Sequence, residues 1–263
     1  MYPLTKNWAK PLLKVAGKPV IDYLIDQLVE FPELDAIHLV SNARFYDDFV
    51  AWREGWQPPL KQRGIQIHLY NDGTTGNHNR LGAVGDLGLL LNAIEMPDGA
   101  LVAAGDNILR FPLLPIWQRF LATRANHVIA LAQTDLAKLR RTGVLELADD
   151  DRVVRLHEKP PHPPSTWSCP AFYFLWATAL RRVNQFLKQP DPPDAPGHFI
   201  AELVHQEPVY AFKTNLTRFD IGSMDSYREA DRVLRQEPVI LLNGKLKTTP
   251  RENRPSPPSP LSQ

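Results

Sequence analysis

The run Ala100-Leu-Val-Ala-Ala104 is apolar at every position and stops at Gly105-Asp106-Asn107. A strand without polar alternates is buried on both faces, so something must cover it above and below. His127–Ala132 reads as a second buried strand, Ala36–Val40 as a short one, and Ile65–Leu69 alternates as a strand does. Helical spacing separates them. Val20, Ile21, Leu24, Leu28 and Val29 recur at intervals of three and four, and Pro32 ends that helix. Phe45–Trp52 and Pro115–Arg124 read as further helices, with Pro58-Pro59 as a breaker. Strand and helix in alternation predict an α/β fold, a Rossmann-like three-layer sandwich with a mainly parallel mixed sheet. Ligands bind such sheets beyond the carboxyl ends of the strands, where Asp106 falls.

The second half changes character. Gly143–Leu147 and Arg152–Leu156 flank Ala148-Asp-Asp-Asp151 and read as a β-hairpin that runs into His157-Glu158-Lys159-Pro160. Ala171–Leu175 and Val209–Lys213 read as strands, Thr178–Leu187 and His198–His205 as helices. Ser223 can cap a helix reaching about Arg235, with Asp225 and Ser226 in its first turn. The expected organisation is one domain over 1–236, in halves 1–135 and 136–236, then a disordered tail over 237–263 rich in Pro, Ser, Lys and Arg.

Composition excludes several classes. The formal net charge of +1 argues against broad nucleic-acid binding. No apolar run approaches the roughly 18–20 residues of a membrane span. One cysteine, Cys169, rules out an intramolecular disulfide and suits a reducing cytoplasm; it reads as a buried small residue. The G-x-G-x-x-G and P-loop fingerprints are absent, and the eight histidines show no paired zinc spacing.

Three constellations remain. The first nineteen residues hold Lys10, Lys14 and Lys18 without an acid, stiffened by Pro3, Pro11 and Pro19. Such a segment can aim ammonium groups at an anion, or be a solvated loop. Asp106 and Asp220 each follow a strand and lie beside glycine; together they suit Mg²⁺, while singly each could cap a turn. Glu158-Lys159 could bind a hydroxyl and an anion, or form a surface ion pair.

In order and spacing, Pro3-Leu4-Thr5, Lys10-Pro11-Leu12, Gly17-Lys18-Pro19, Gly82, Gly105-Asp106, Gly143, Glu158-Lys159-Pro160 and Asp220-Ile221-Gly222 resemble the sugar-1-phosphate nucleotidylyltransferases. The resemblance covers roughly 1–236. It implies transfer of a nucleotidyl group from a nucleoside triphosphate to a sugar 1-phosphate, with Mg²⁺ as cofactor. It assigns Lys10 and Asp106 to catalysis, Asp106 and Asp220 to the metal, and Gly82, Gly143, Glu158 and Lys159 to substrate. Residues 1–135 become the nucleotide half and 136–236 the sugar half. Ala9 stands where the family has proline, and Asn71–Arg80 departs from the commoner Gln-x-x-Pro-x-Gly loop. The family's Gly-x-Gly-Thr-Arg loop would lie upstream of Met1, which makes Met1 an expected internal methionine of a longer protein. The alternatives are a weakly active or inactive sugar-phosphate binder, or a cytidylyltransferase acting on a phosphorylated alcohol such as phosphocholine. Partners beyond substrates are neither nucleic acid nor membrane. A homo-oligomer stays open, as do the base and the sugar.

Overall fold

A computed structural model describes residues 4–237, 240–242 and 245–247. Two 3-10 turns, at Leu4–Lys6 and Lys10–Leu12, lead into a tight hairpin of β1 (Lys14–Val15) and β2 (Lys18–Pro19). Then come α1 (Val20–Leu28), β3 (Ala36–Ser41), α2 (Tyr46–Lys61), β4 (Gln66–Asn71), α3 (Gly82–Ala93), β5 (Gly99–Ala103), β6 (Asn107–Leu109), α4 (Leu114–Thr123) and β7 (Asn126–Ala132). The second half holds α5 (Leu136–Leu139), β8 (Gly143–Leu147), β9 (Val153–Glu158), β10 (Trp167–Cys169), β11 (Phe172–Trp176), α6 (Ala177–Phe186), α7 (Pro196–Leu203), β12 (Val209–Thr214), β13 (Arg218–Asp220) and α8 (Met224–Gln236). Two short antiparallel strands, β14 (Ile240–Leu242) and β15 (Lys245–Lys247), lie within the segment expected to be disordered. The rest of that tail is outside the described residues.

Three layers form as expected. The central sheet has seven strands, in order β5-β11-β7-β10-β8-β9, with β12 on the other side of β7. Alternation splits each inner strand between two cores. On one face, Ile129, Leu131, Phe172 and Phe174 pack against α1 and α4 through Ile21, Ile25, Ile116 and Phe120. On the other, Val128, Ala130, Tyr173 and Leu175 pack against α3, α6 and α7 through Val84, Leu180, Val183 and Ile200.

The pairing departs from the expectation of a mainly parallel sheet. Among the described residues only β3–β4 and β7–β12 are parallel ladders. Both are joined by connections that contain helices. Among the antiparallel pairs of the seven-stranded sheet only β8–β9 joins consecutive strands through a short loop, which returns a strand antiparallel. β10 and β11, separated by Pro170-Ala171, run in one direction along β7, and their other partners β8 and β5 are also not adjacent to them in sequence. The sheet is also divided, since β3–β4 stands as a separate pair.

Pro58-Pro59 does not break its helix, which continues to Lys61. Both prolines fall in its last turn and remove the donors that the Glu54 and Gly55 carbonyls would otherwise accept from. Leu60, 1% exposed, seals a small core with Ile65 and Ile67. Packing therefore outweighs the prolines' missing donors.

One polar side chain joins the helices beneath the site. Gln27 of α1 is 3% exposed, and its Oε1 accepts from the Leu113 N–H at 2.8 Å. Replacing Gln27 with Met keeps the volume and strands a buried donor. Urea unfolding should show a loss of about 1–3 kcal/mol; unchanged stability would mean that this bond contributes nothing.

Candidate active site

The site begins with β6 and β13, two three-residue strands paired Arg218↔Leu109, Phe219↔Ile108 and Asp220↔Asn107. Ile108 and Ile221 are fully buried together with Val15, Val20 and Leu234, which anchors both strands. The Ile221 N–H donates to the Asp106 carbonyl at 3.0 Å. Asp106 and Asp220, far apart in sequence, are thus brought together by backbone pairing.

The basic N-terminal segment is held over the same place. Ala16 and Gly17 both have positive φ (50° and 86°), forming the hairpin turn. Helix α8 clamps that hairpin. Asp231 Oδ1 accepts from the Ala16 N–H, and the Tyr227 hydroxyl donates to the Lys14 carbonyl, both at 2.8 Å. Ser223 opens α8 with a capping box shared with Ser226. Preceding the hairpin, the Lys10–Leu12 turn sets Lys10 Nζ 3.9 Å from Asp106 Oδ2. Lys18 points elsewhere, to Asp26.

Asp106 titrates above the usual carboxylate range. Burial is the main cause and the charge of Asp220 the next; Lys10, a backbone hydrogen bond and Arg218 pull the other way. The negative charge of Asp220 thus disfavours ionised Asp106. Two neighbours that the sequence reading did not single out organise the two carboxylates. Asn107 Nδ2 donates to Asp106 Oδ1 at 2.9 Å, and Arg218 donates to Asn107 Oδ1 while lying 3.4 Å from Asp220 Oδ2.

Glu158 and Lys159 occupy a second group. The register Gly143↔Glu158 sets glycine opposite the acid, and the Lys159 N–H donates to the Thr142 carbonyl at 3.1 Å. Glu158 has a side chain only 12% exposed, with Oε1 3.6 Å from Lys159 Nζ. Lys159 adopts a left-handed φ of 47°. Gly197, at the start of α7, was not foreseen. A Cβ there would collide with Glu158 Oε2. Tyr173 is buried, and its hydroxyl is pushed up chiefly by burial, then by Cys169 and Glu158, and is opposed by Arg218.

Gly82 belongs to a third group. It has φ 76°, and a Cβ there would run into Asp194, which pairs with Arg80 at 2.5 Å. One turn into α3, Asp86 is raised to about 6 by burial and by Asp72, where the 72–81 loop begins. Cys169 is buried, as expected, and its thiol is pushed up by burial. Among the described residues no helix is long and apolar enough to cross a membrane.

The chain belongs to the nucleotidyl transferase family, whose model matches residues 1–237. A glucose-1-phosphate adenylyltransferase of Clostridium novyi is 23% identical over 87% of this chain. This chain spans 62% of that relative's length. A UTP–glucose-1-phosphate uridylyltransferase, AglF, of Haloferax volcanii is 24% identical over 90% of this chain and 92% of its own. The fold is that of a UDP-glucose pyrophosphorylase solved with UDP-glucose. The two superpose with a TM-score of 0.73 at 15% identity, over 90% of this chain and 94% of the other.

Two outcomes follow. Gly197→Ala must displace the Glu158 carboxylate; a crystal structure of the variant should show Glu158 in a new rotamer, and an unmoved Glu158 would contradict the packing. Asp86, raised above its unfolded value, favours the fold least above about pH 6 and costs nothing below its unfolded pKa. Asp86→Asn should raise Tm at pH 8 by about 2 °C and converge with the parent near pH 4. A constant difference across that range would reject the assignment.

Proposed function

We propose that this chain transfers a nucleotidyl group from a nucleoside triphosphate to a sugar 1-phosphate, releasing pyrophosphate. The convergence of Lys10, Asp106 and Asp220 beyond the carboxyl end of β5 carries this reading. Membership of the family and the named activities of the relatives support it. A sugar-phosphate oxygen attacks the α-phosphorus, the bond from that phosphorus to the bridging oxygen breaks, and the electron pair leaves with pyrophosphate. Such chemistry rests on positioning and charge neutralisation.

The donor set fits Mg²⁺. Two carboxylates welcome a divalent cation, and Mg²⁺ prefers one or two carboxylates with phosphate and water oxygens. No group of three or more His, Cys, Asp or Glu gathers among the described residues, so an all-protein metal cage is not built here. Asp106 and Asp220 would hold the ion; once bound, it supplies charge neutralisation at the triphosphate and the entering oxygen.

The chain's own residues do the rest. Lys10 brings its ammonium to the α-phosphate. Glu158 accepts from a sugar hydroxyl, with Gly143 and Gly197 keeping space beside it. Lys159 faces the sugar phosphate, and Gly82 lets the base approach the backbone. Residues 1–135 then serve the nucleotide and 136–236 the sugar, in the cytoplasm. Among the described residues β3 and β5 each pair on one side only.

The test is pyrophosphate release from each nucleoside triphosphate with a panel of sugar 1-phosphates and phosphocholine. Release should require Mg²⁺ and a sugar 1-phosphate. Asp106→Asn should lower it by roughly 10²–10³-fold while the protein melts cooperatively. Turnover at the parent rate in that variant would remove Asp106 from the mechanism. Turnover with phosphocholine alone would move the acceptor to a phosphorylated alcohol.

A further inference from the structure

We infer that Arg218 is a positioning residue that orients both site carboxylates at once, directly at Asp220 and through the Asn107 amide at Asp106. The inference rests on the metal reading above and concerns what that reading leaves unexplained: why two carboxylates keep a fixed geometry before any cation arrives.

The hydrogen-bond directions allow one arrangement. Arginine has only donors. Arg218 Nη1 donates to Asn107 Oδ1, so the amide oxygen must face the guanidinium. The amide nitrogen is thereby turned to Asp106 Oδ1, to which it donates at 2.9 Å. Asp106 Oδ2 is left toward Lys10 Nζ at 3.9 Å. The same Nη1 lies 3.4 Å from Asp220 Oδ2. Asp106 is thus hydrogen-bonded by this network through one oxygen, and Asp220 is held by the charge of the same guanidinium.

Burial makes the arrangement stiff. Asn107 is 6% exposed and the Arg218 side chain 16%. An amide flip would set its nitrogen against the guanidinium and its oxygen against Asp106, losing two bonds in a low-dielectric setting. The ladder pairs Asp220 with Asn107, with Arg218 two residues before Asp220 on β13 and Asp106 just ahead of β6. Lysine cannot replace this fork, because an ammonium presents no planar pair of donors.

The consequence is a metal affinity set partly by a residue that does not touch the metal. Loss of a partner that orients a ligand typically weakens metal binding about 10–100-fold. Mn²⁺, titrated alone and read by electron paramagnetic resonance, measures this without turnover. The parent chain should bind Mn²⁺, and Asp106→Asn should abolish binding. Arg218→Met and Asn107→Leu should each weaken it about 10–100-fold, and Arg218→Lys should recover little. Combining Arg218→Met with Asn107→Leu should add little to either alone, since both break one relay. Should Arg218→Met fail to fold, Arg218→Lys decides the matter. Parent-like Mn²⁺ affinity in a folded Arg218 variant overturns the inference and leaves the two-aspartate site standing. A parent chain that binds no Mn²⁺, or an Asp106→Asn variant that binds it as well as the parent does, overturns both.

Discussion

Three paired residues between β6 and β13 are what the site depends on. Without that ladder Asp106 would be the end of one strand and Asp220 the end of another. With it, they share one edge, and the Ile221 N–H bond to the Asp106 carbonyl locks the crossing. Ladder bonds this short contribute little alone. Ile108 and Ile221, fully buried with Val15, Val20 and Leu234, supply the apolar anchorage that holds them. The same cluster reaches the N-terminal hairpin, so the core that fixes the carboxylates also fixes the segment bearing Lys10.

A charge conflict is built into this arrangement. Burial and Asp220 both disfavour ionised Asp106, while Lys10 and Arg218 favour it. Folding alone would gain from an apolar pair there. Under the proposed reaction, a site that neutralises a triphosphate gains from carboxylates that welcome a cation and an ammonium close by. At the other group Glu158 is a nearly enclosed carboxylate hemmed by Gly143 and Gly197, with Lys159 beside it.

Much of this was legible in the residues. Unbroken apolar runs revealed the buried strands, and glycine beside aspartate at strand ends marked Asp106 and Asp220. Ser223 announced its helix through the capping pattern. Strand direction was not legible, because β10 and β11 take their antiparallel partners β5, β7 and β8 from strands not adjacent to them in sequence. Pro58-Pro59 misled because propensity is local, while Leu60 is held by distant Ile65 and Ile67. Asn107 and Arg218 carried no signal of their own; an amide and a guanidinium become informative only when pairing sets them side by side. Gly197 stayed hidden for the same reason, since nothing in the chain says that Glu158 will need its space.

The central claim is that a sugar-phosphate oxygen is joined to an α-phosphorus at the Lys10–Asp106–Asp220 site. ³¹P NMR of products formed from a sugar 1-phosphate labelled with ¹⁸O in its phosphate tests it directly. The account predicts a nucleotide-sugar carrying ¹⁸O in the bridge between its two phosphorus atoms, beside unlabelled pyrophosphate. Label absent from that bridge, or appearing in pyrophosphate, would contradict it.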